Sequence, residues 1–182
     1  MRFLIAVATK HGSTHGIGEA IAEELRAYGN DVDVSAVGDI TSLAPYDAVI
    51  LGSAVYMGHW LAEARKFIAT HQQALITRPV WLFSSGPVGR DQSKRPEDPS
   101  GLETLMAEAG ARGHRTFHGK LDPSQLGLPD RLMVKLVKAP AGDFRDWDDI
   151  QAWARAIANS VRPATALAPA AAVSDQSRHM EQ

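Results

Sequence analysis

Apolar runs that alternate with amphipathic, helically spaced segments predict an α/β protein built on an open parallel sheet of five strands, with helices on both faces. Three observations carry this reading. The runs 3–8 (FLIAVA), 47–53 (DAVILGS) and 80–84 (VWLFS) are close to continuously apolar, as strands covered on both faces must be. The stretches between them place apolar residues three and four positions apart. Strand–helix alternation of this kind requires crossover connections, which are right-handed and set helices on either side of the sheet.

Taken in order, residues 3–8 form the first strand and end in Thr-Lys-His-Gly-Ser-Thr. Ile17, Ile21, Leu25 and Tyr28 define the first helix, with Ser13 or Thr14 available as its N-cap and Gly29-Asn30 as its stop. Residues 32–37 alternate more weakly, as a strand near a sheet edge does. Residues 47–53 are the third strand, Leu61, Ala64 and Ile68 mark the second helix, and residues 80–84 are the fourth strand. The stretch from Ser84 to Gly101, rich in Gly, Pro, Ser and charge, reads as a long loop over a site mouth. Leu102, Leu105, Met106 and Ala109 give a third helix, and residues 114–120 (HRTFHGK) the fifth strand. The last helix starts at Asp146 as N-cap and continues through Ile150, Trp153, Ala154, Ile157 and Val161. One folded domain over residues 1–161 is expected. An Ala/Pro-rich tail over residues 162–182 has no periodicity and reads as disordered.

Composition narrows the function. The 182 residues are 45% hydrophobic and carry 19 basic against 21 acidic side chains, a formal net charge of −2. The two basic and two acidic residues of the tail (Arg162, Arg178, Asp175, Glu181) cancel, so that charge belongs to residues 1–161. Near-neutrality argues against a non-specific nucleic-acid binder, which needs many phosphate-neutralising cations. It also argues against a carrier that docks electrostatically on basic partners. There is no cysteine, which removes disulfide, thiol and Fe–S chemistry together. The N-terminal apolar run reads as a strand rather than a signal peptide, and no apolar stretch approaches the ~20 residues that span a bilayer. A cytoplasmic protein is expected.

Ligands of open parallel sheets bind outside the carboxyl ends of the strands, which singles out three loops. In the first, Thr9, Lys10, His11, Gly12, Ser13 and Thr14 follow a buried strand and open a helix. Backbone N–H groups, hydroxyls and the helix dipole there suit a phosphate, and Gly12 lets the chain approach it without a Cβ. A plain N-cap turn is the simpler reading of the same residues. The second loop, Ser53, Ala54, Val55, Tyr56, Met57 and Gly58, has small residues that pass close to a flat ligand and apolar surfaces that stack on it. Trp60 beside it serves either that ligand or the core. The third loop, Ser84, Ser85, Gly86, Pro87, Val88 and Gly89, is small enough to wrap the ligand's other edge. Other phosphate signatures fail: no Walker A lysine is present. Gly12, Gly16 and Gly18 match a dinucleotide spacing, but no Tyr-x-x-x-Lys pair accompanies them.

The run T-K-H-G-S-T resembles the phosphate loop of flavodoxins, with His11 where a Thr is usual. G-S-A-V-Y-M-G-H, P-D-R-L-M-V-K-L-V-K and D-W-D-D-I-Q-A-W-A-R-A-I-A are similar to the menaquinone-dependent protoporphyrinogen dehydrogenase branch of that fold, over about residues 1–161. The resemblance implies a flavodoxin-like sheet in strand order 2-1-3-4-5 and non-covalent FMN. It further implies oxidation of a porphyrinogen substrate with transfer of electrons to a quinone or a redox partner protein. The alternative is an electron-transfer flavodoxin without a small-molecule substrate.

Pro129 opens a short basic segment in which Leu132, Met133, Leu136 and Val137 share a face flanked by Arg131, Lys135 and Lys138. Peripheral membrane or quinone contact through residues 129–138 is one expectation, and packing on the sheet the other. The histidines occur at spacings that make no metal site, and no Gly-x-Ser-x-Gly elbow exists.

Overall fold

A computed structural model describes residues 1–86, 96–122 and 141–162. In chain order the elements are β1 (Arg2–Ala8), α1 (Ser13–Ala27), β2 (Asp31–Ala36), a 3-10 turn (Val37–Asp39), β3 (Ala48–Tyr56), β4 (His59–Trp60), α2 (Ala62–Leu75) and β5 (Val80–Ser85). These are followed by α3 (Leu102–Ala109), β6 (Gly113–Phe117), β7 (Lys120–Leu121), β8 (Gly142–Asp143) and α4 (Trp147–Ser160). The parallel strands run β2-β1-β3-β5-β6, which is the expected order with the intervening β4 set aside. β4 is a two-residue antiparallel return on β3, pairing Val55 with Trp60 and Tyr56 with His59.

The alternation of strand side chains divides the core into two layers. Phe3, Ile5 and Val7 of β1 join Ile17, Ile21 and Leu25 of α1 and Ile150, Ala154 and Ile157 of α4. Leu4, Ala6 and Ala8 face the other way, onto Ala64, Phe67 and Ile68 of α2 and Leu105 and Ala109 of α3. Two glycines make the close packing possible. A Cβ on Gly52 would fall 2.0 Å from Cζ of the buried Phe83, and one on Gly18 would meet Val7 Cγ1 at 3.1 Å. Gly18 therefore seats α1 on β1. Gly16 accommodates the Arg145 guanidinium, whose Nη1 lies 2.5 Å from the position of a Cβ there. Gly16 and Gly18 of the dinucleotide-like spacing therefore have packing causes.

The helix boundaries follow local chemistry. Asp146 caps α4 by accepting the Asp149 N–H at 3.0 Å. Gly29 at φ +81° stops α1, with the Asn30 N–H returning to the Leu25 carbonyl. At the other end of α1 the expected hydroxyl cap is not used. Gly12, at φ +78°, is the N-cap without a side-chain bond, because the Ser13 hydroxyl is turned toward β5 and β7 instead.

The fifth strand is also shorter than expected. It ends at Phe117, where the Phe117 carbonyl accepts the Gly86 N–H, and Gly119 then passes 3.4 Å (measured from a Cβ position) from the Gly86 backbone. Lys120–Leu121 pairs instead, antiparallel, with Gly142–Asp143. The last six residues of the 84–101 loop, 96–101, are described, whereas residues 87–95, the 129–138 segment and the 163–182 part of the tail lie outside the described residues.

Candidate functional site

The carboxyl ends of β1, β3 and β5 lie side by side, and the end of β5 meets the N-terminus of α1 where Ser85 Oγ lies 3.3 Å from Ser13 Oγ. In the first loop Thr9 Oγ1 accepts the Gly12 N–H at 3.1 Å, which closes the turn and fixes Gly12 in its left-handed conformation. A Cβ at Gly12 would meet no protein atom within 4 Å. The first N–H groups of a helix have no intrahelical partner, and the positive end of the helix dipole lies among them. No acidic side chain occupies the first turn of α1 to compete for them. Thr14 is fully buried, and its Oγ1 has no hydrogen-bond partner. A cradle of N–H donors, an unpartnered buried hydroxyl and no carboxylate fits an anion such as a phosphate.

Ser13 ties this turn to the third loop. Its Oγ lies 3.3 Å from Ser85 Oγ and accepts the Lys120 backbone N–H at 2.9 Å. Gly86, at φ +119°, continues from Ser85 with its Cβ position 3.6 Å from the Val55 carbonyl oxygen, against the root of the second loop. Pro87, Val88 and Gly89 lie outside the described residues.

The second loop is a hairpin tip. Met57 (φ +51°) and Gly58 (φ +78°) are both left-handed, the geometry of a tight two-residue turn whose twist matches the strands it joins. The turn lifts Tyr56 and Met57 into solvent, at 40% and 75% exposure. The Lys10 ammonium sits 4.2 Å from the Tyr56 ring centroid, a cation–π contact that links the first and second loops. The Ser100 N–H donates to the Gly58 carbonyl at 2.8 Å, so residues 96–101 brace the tip from outside. Ala54 and Val55 are half-buried at the base of the hairpin.

Ser53 and Ser84, which the sequence places in the candidate loops, and Trp60, for which ligand and core are both open, turn their side chains into the protein. Ser53 is fully buried, donates to the Ala54 carbonyl and accepts the Leu61 N–H at 3.1 Å. Ser84 is fully buried, and Trp60 is 2% exposed in the core layer of α2 and α3. Strand parity explains this. Ser53 and Ser84 are register partners in the same phase as Leu51 and Leu82, whose side chains face that layer. Ser84 lies in a polar chain inside it: Trp60 Nε1 donates to Ser84 Oγ at 2.8 Å, and Ser84 Oγ lies 2.8 Å from His114 Nε2. His114 Nδ1 is 3.5 Å from Asp98 Oδ1, which also accepts the Thr116 hydroxyl at 2.7 Å. Burial lowers the His114 pKa and the Asp98 charge opposes that, with burial the larger effect.

Gly119, Lys120, Asp98 and His114 enter the site or its support without having been singled out from the sequence. The His118-Gly119 pair inside an otherwise strand-like run was the available sign of a chain turning toward the other loops.

Comparison with known proteins agrees with this architecture. A family model described as Flavodoxin domain matches residues 4–148. The protoporphyrinogen IX dehydrogenase [quinone] of Escherichia coli (strain K12) is 28% identical over 173 residues, 87% of this chain and 96% of that protein. Among solved structures, oxidised flavodoxin 2 from Bacillus cereus aligns with a TM-score of 0.57 at 23% identity, over 88% of this chain and 99% of the other. The rubredoxin oxygen:oxidoreductase of Desulfovibrio gigas aligns with a TM-score of 0.57 at 15% identity over 87% of this chain, which spans 35% of the length of that larger protein.

Proposed function

Since the chain belongs to the flavodoxin domain family, we propose that it is an FMN-dependent oxidoreductase that dehydrogenates a porphyrinogen, of which protoporphyrinogen IX is the leading candidate, and passes the electrons to a quinone. The observation that carries the cofactor is the cradle at α1, where Gly12 is left-handed and Thr14 keeps a buried hydroxyl without a partner. FMN brings one phosphate and one flat ring. Thr9, Gly12, Ser13 and Thr14 would hold the phosphate, and the ring would lie between residues 54–58 and the loop that starts at Ser85. Lys10, set over Tyr56, adds a positive charge at the mouth. When bound, FMN supplies the acceptor for two reducing equivalents; the chain's own residues would bind it and orient it. The porphyrinogen and quinone are supported by the similarity to the Escherichia coli enzyme across nearly its whole length. A site of action in the cytoplasm or on the inner face of a membrane accords with the quinone. Among the described residues no helix is long and apolar enough to cross a membrane.

The test is spectral and then kinetic. The purified protein should quench FMN fluorescence on titration, and Gly12→Val should weaken that binding at least tenfold, because a Cβ chain would enter the cradle at a left-handed φ. With FMN bound, protoporphyrinogen IX should be consumed in the presence of a menaquinone analogue. Reduction by a flavodoxin reductase without porphyrinogen turnover would show the electron-carrier function instead. Absence of quenching at any FMN concentration would remove the cofactor assignment.

A further inference from the structure

The Trp60–Ser84–His114–Asp98 chain has no part in the flavin reading, yet it joins two segments that flank the site. Trp60 ends the hairpin, and Asp98 belongs to the segment whose Ser100 N–H holds Gly58. The Ser–His–Asp order has the appearance of a hydrolytic triad. Ser84 is fully buried and its oxygen already accepts the indole N–H, so no substrate carbonyl can reach it, and a nucleophilic role is excluded.

Hydrogen-bond roles in the chain follow from chemistry. An indole Nε1 can only donate, so Ser84 Oγ is its acceptor. The Ser84 proton is then free for His114, which requires Nε2 to be unprotonated and places the imidazole proton on Nδ1, toward Asp98. The neutral Nδ1–H tautomer satisfies all members at once. A proton added to Nε2 sets a second donor against Ser84 Oγ and leaves the serine proton facing no acceptor in a buried position, a costly arrangement. From β5 and the hairpin the groups facing His114 are the uncharged Ser84 and Trp60, from β6 the Thr116 hydroxyl side, and from residues 96–101 Asp98, the one charged group among them.

We propose that His114 is a positioning residue for the ligand-facing hairpin: by accepting the Ser84 proton it fixes Trp60, and with it residues 55–60, and by taking up a proton of its own it releases them. The proposal rests on the flavin reading of the site only for the identity of what the hairpin touches. Its consequence is that ring binding, and with it turnover, weakens in acid through a residue that never contacts the ligand.

The experiment compares the full chain with His114→Gln, in which an amide oxygen replaces Nε2 as a permanent acceptor, and with Ser84→Ala and Asp98→Asn. In the flavin-free protein between pH 5 and 8, the Trp60 Nε1–H and the Met57 and Gly58 amide NMR signals should follow one titration that coincides with that of His114. The titration should be lost from these signals in His114→Gln. In Ser84→Ala, His114 should still titrate while the hairpin signals stay still. Asp98→Asn should move the common midpoint to lower pH, and that shift decides the matter if His114→Gln does not fold. FMN affinity should weaken about fivefold to tenfold more in wild type than in His114→Gln between pH 8 and pH 5, the worth of one buried hydrogen bond. The phosphate of FMN titrates near about pH 6 and affects both proteins alike, so the ratio of their dissociation constants is the quantity read. Hairpin signals that ignore the His114 titration, or that move identically in wild type and His114→Gln, would overturn the proposal. Hairpin signals that follow His114 in a protein that never quenches FMN would leave the positioning role standing and overturn the cofactor assignment instead.

Discussion

Thr14 separates what the fold needs from what a ligand needs. A buried hydroxyl without a partner costs about 1–3 kcal/mol, and Thr14 bears that cost at the floor of the cradle. Thr14→Val removes the hydroxyl and keeps the shape. In the flavin-free protein the variant should match or exceed wild type in thermal midpoint, while its FMN affinity should fall about tenfold, the loss of one charge-assisted hydrogen bond. A marked drop in the midpoint would mean that the hydroxyl has an internal partner and serves the fold. The turn that opens α1 is legible at this scale because strand, glycine and hydroxyls are consecutive in sequence. The side-chain direction of Ser53 and Ser84 is not legible in the sequence, because small polar residues at strand ends have the same composition whether they face a ligand or a helix. Their direction depends on phase with Leu51 and Leu82, which becomes clear once the register is known.

Among the elements, β1, β3 and β5 announced themselves through unbroken apolar runs, and α4 through its Asp cap. β4 did not, because it is two residues long and owes its existence to a turn in which Met57 adopts a conformation that side chains generally avoid. The opposite end of the sheet depends on a single side chain. Arg78 donates to the carbonyls of Leu43, Tyr46 and Ala74, closing the α2 C-terminus over the connection that leads into β3. Arg78→Ala leaves those carbonyls without the guanidinium and should lower unfolding free energy by about 2 kcal/mol in urea titration. FMN affinity should not change, since the clamp lies at the amino ends of the strands and the cradle at their carboxyl ends.

For the whole molecule, acid should destabilise in two stages. His114 has its pKa below the ordinary 6.5 through burial, so the native state takes up its proton later than the unfolded chain does. Its contribution is complete above about pH 6.5 and is lost as pH falls from there through the lower native value. Asp33, hydrogen-bonded by Arg2, and Asp143, hydrogen-bonded by Arg145, are held below the ordinary 3.8. Their contributions are present above pH 3.8 and are lost as pH falls through their native values. Tyr46 is raised above 10, by burial first and by Asp33 second, so it favours the folded state until pH climbs past 10 and then ceases to do so. Thermal midpoints measured from pH 3 to pH 11 should form a plateau near neutrality with a stepped acid limb. In His114→Gln the first step should vanish and the second remain.

The braces around the cradle have a calorimetric consequence. Lys10 is already seated on Tyr56, Ser13 already joins Ser85 and Lys120, and Ser100 already holds Gly58. A ligand entering a frame assembled in this way orders little chain in those segments. Its binding heat capacity should therefore approach the value expected from the surface it covers, without the larger negative excess that accompanies coupled folding.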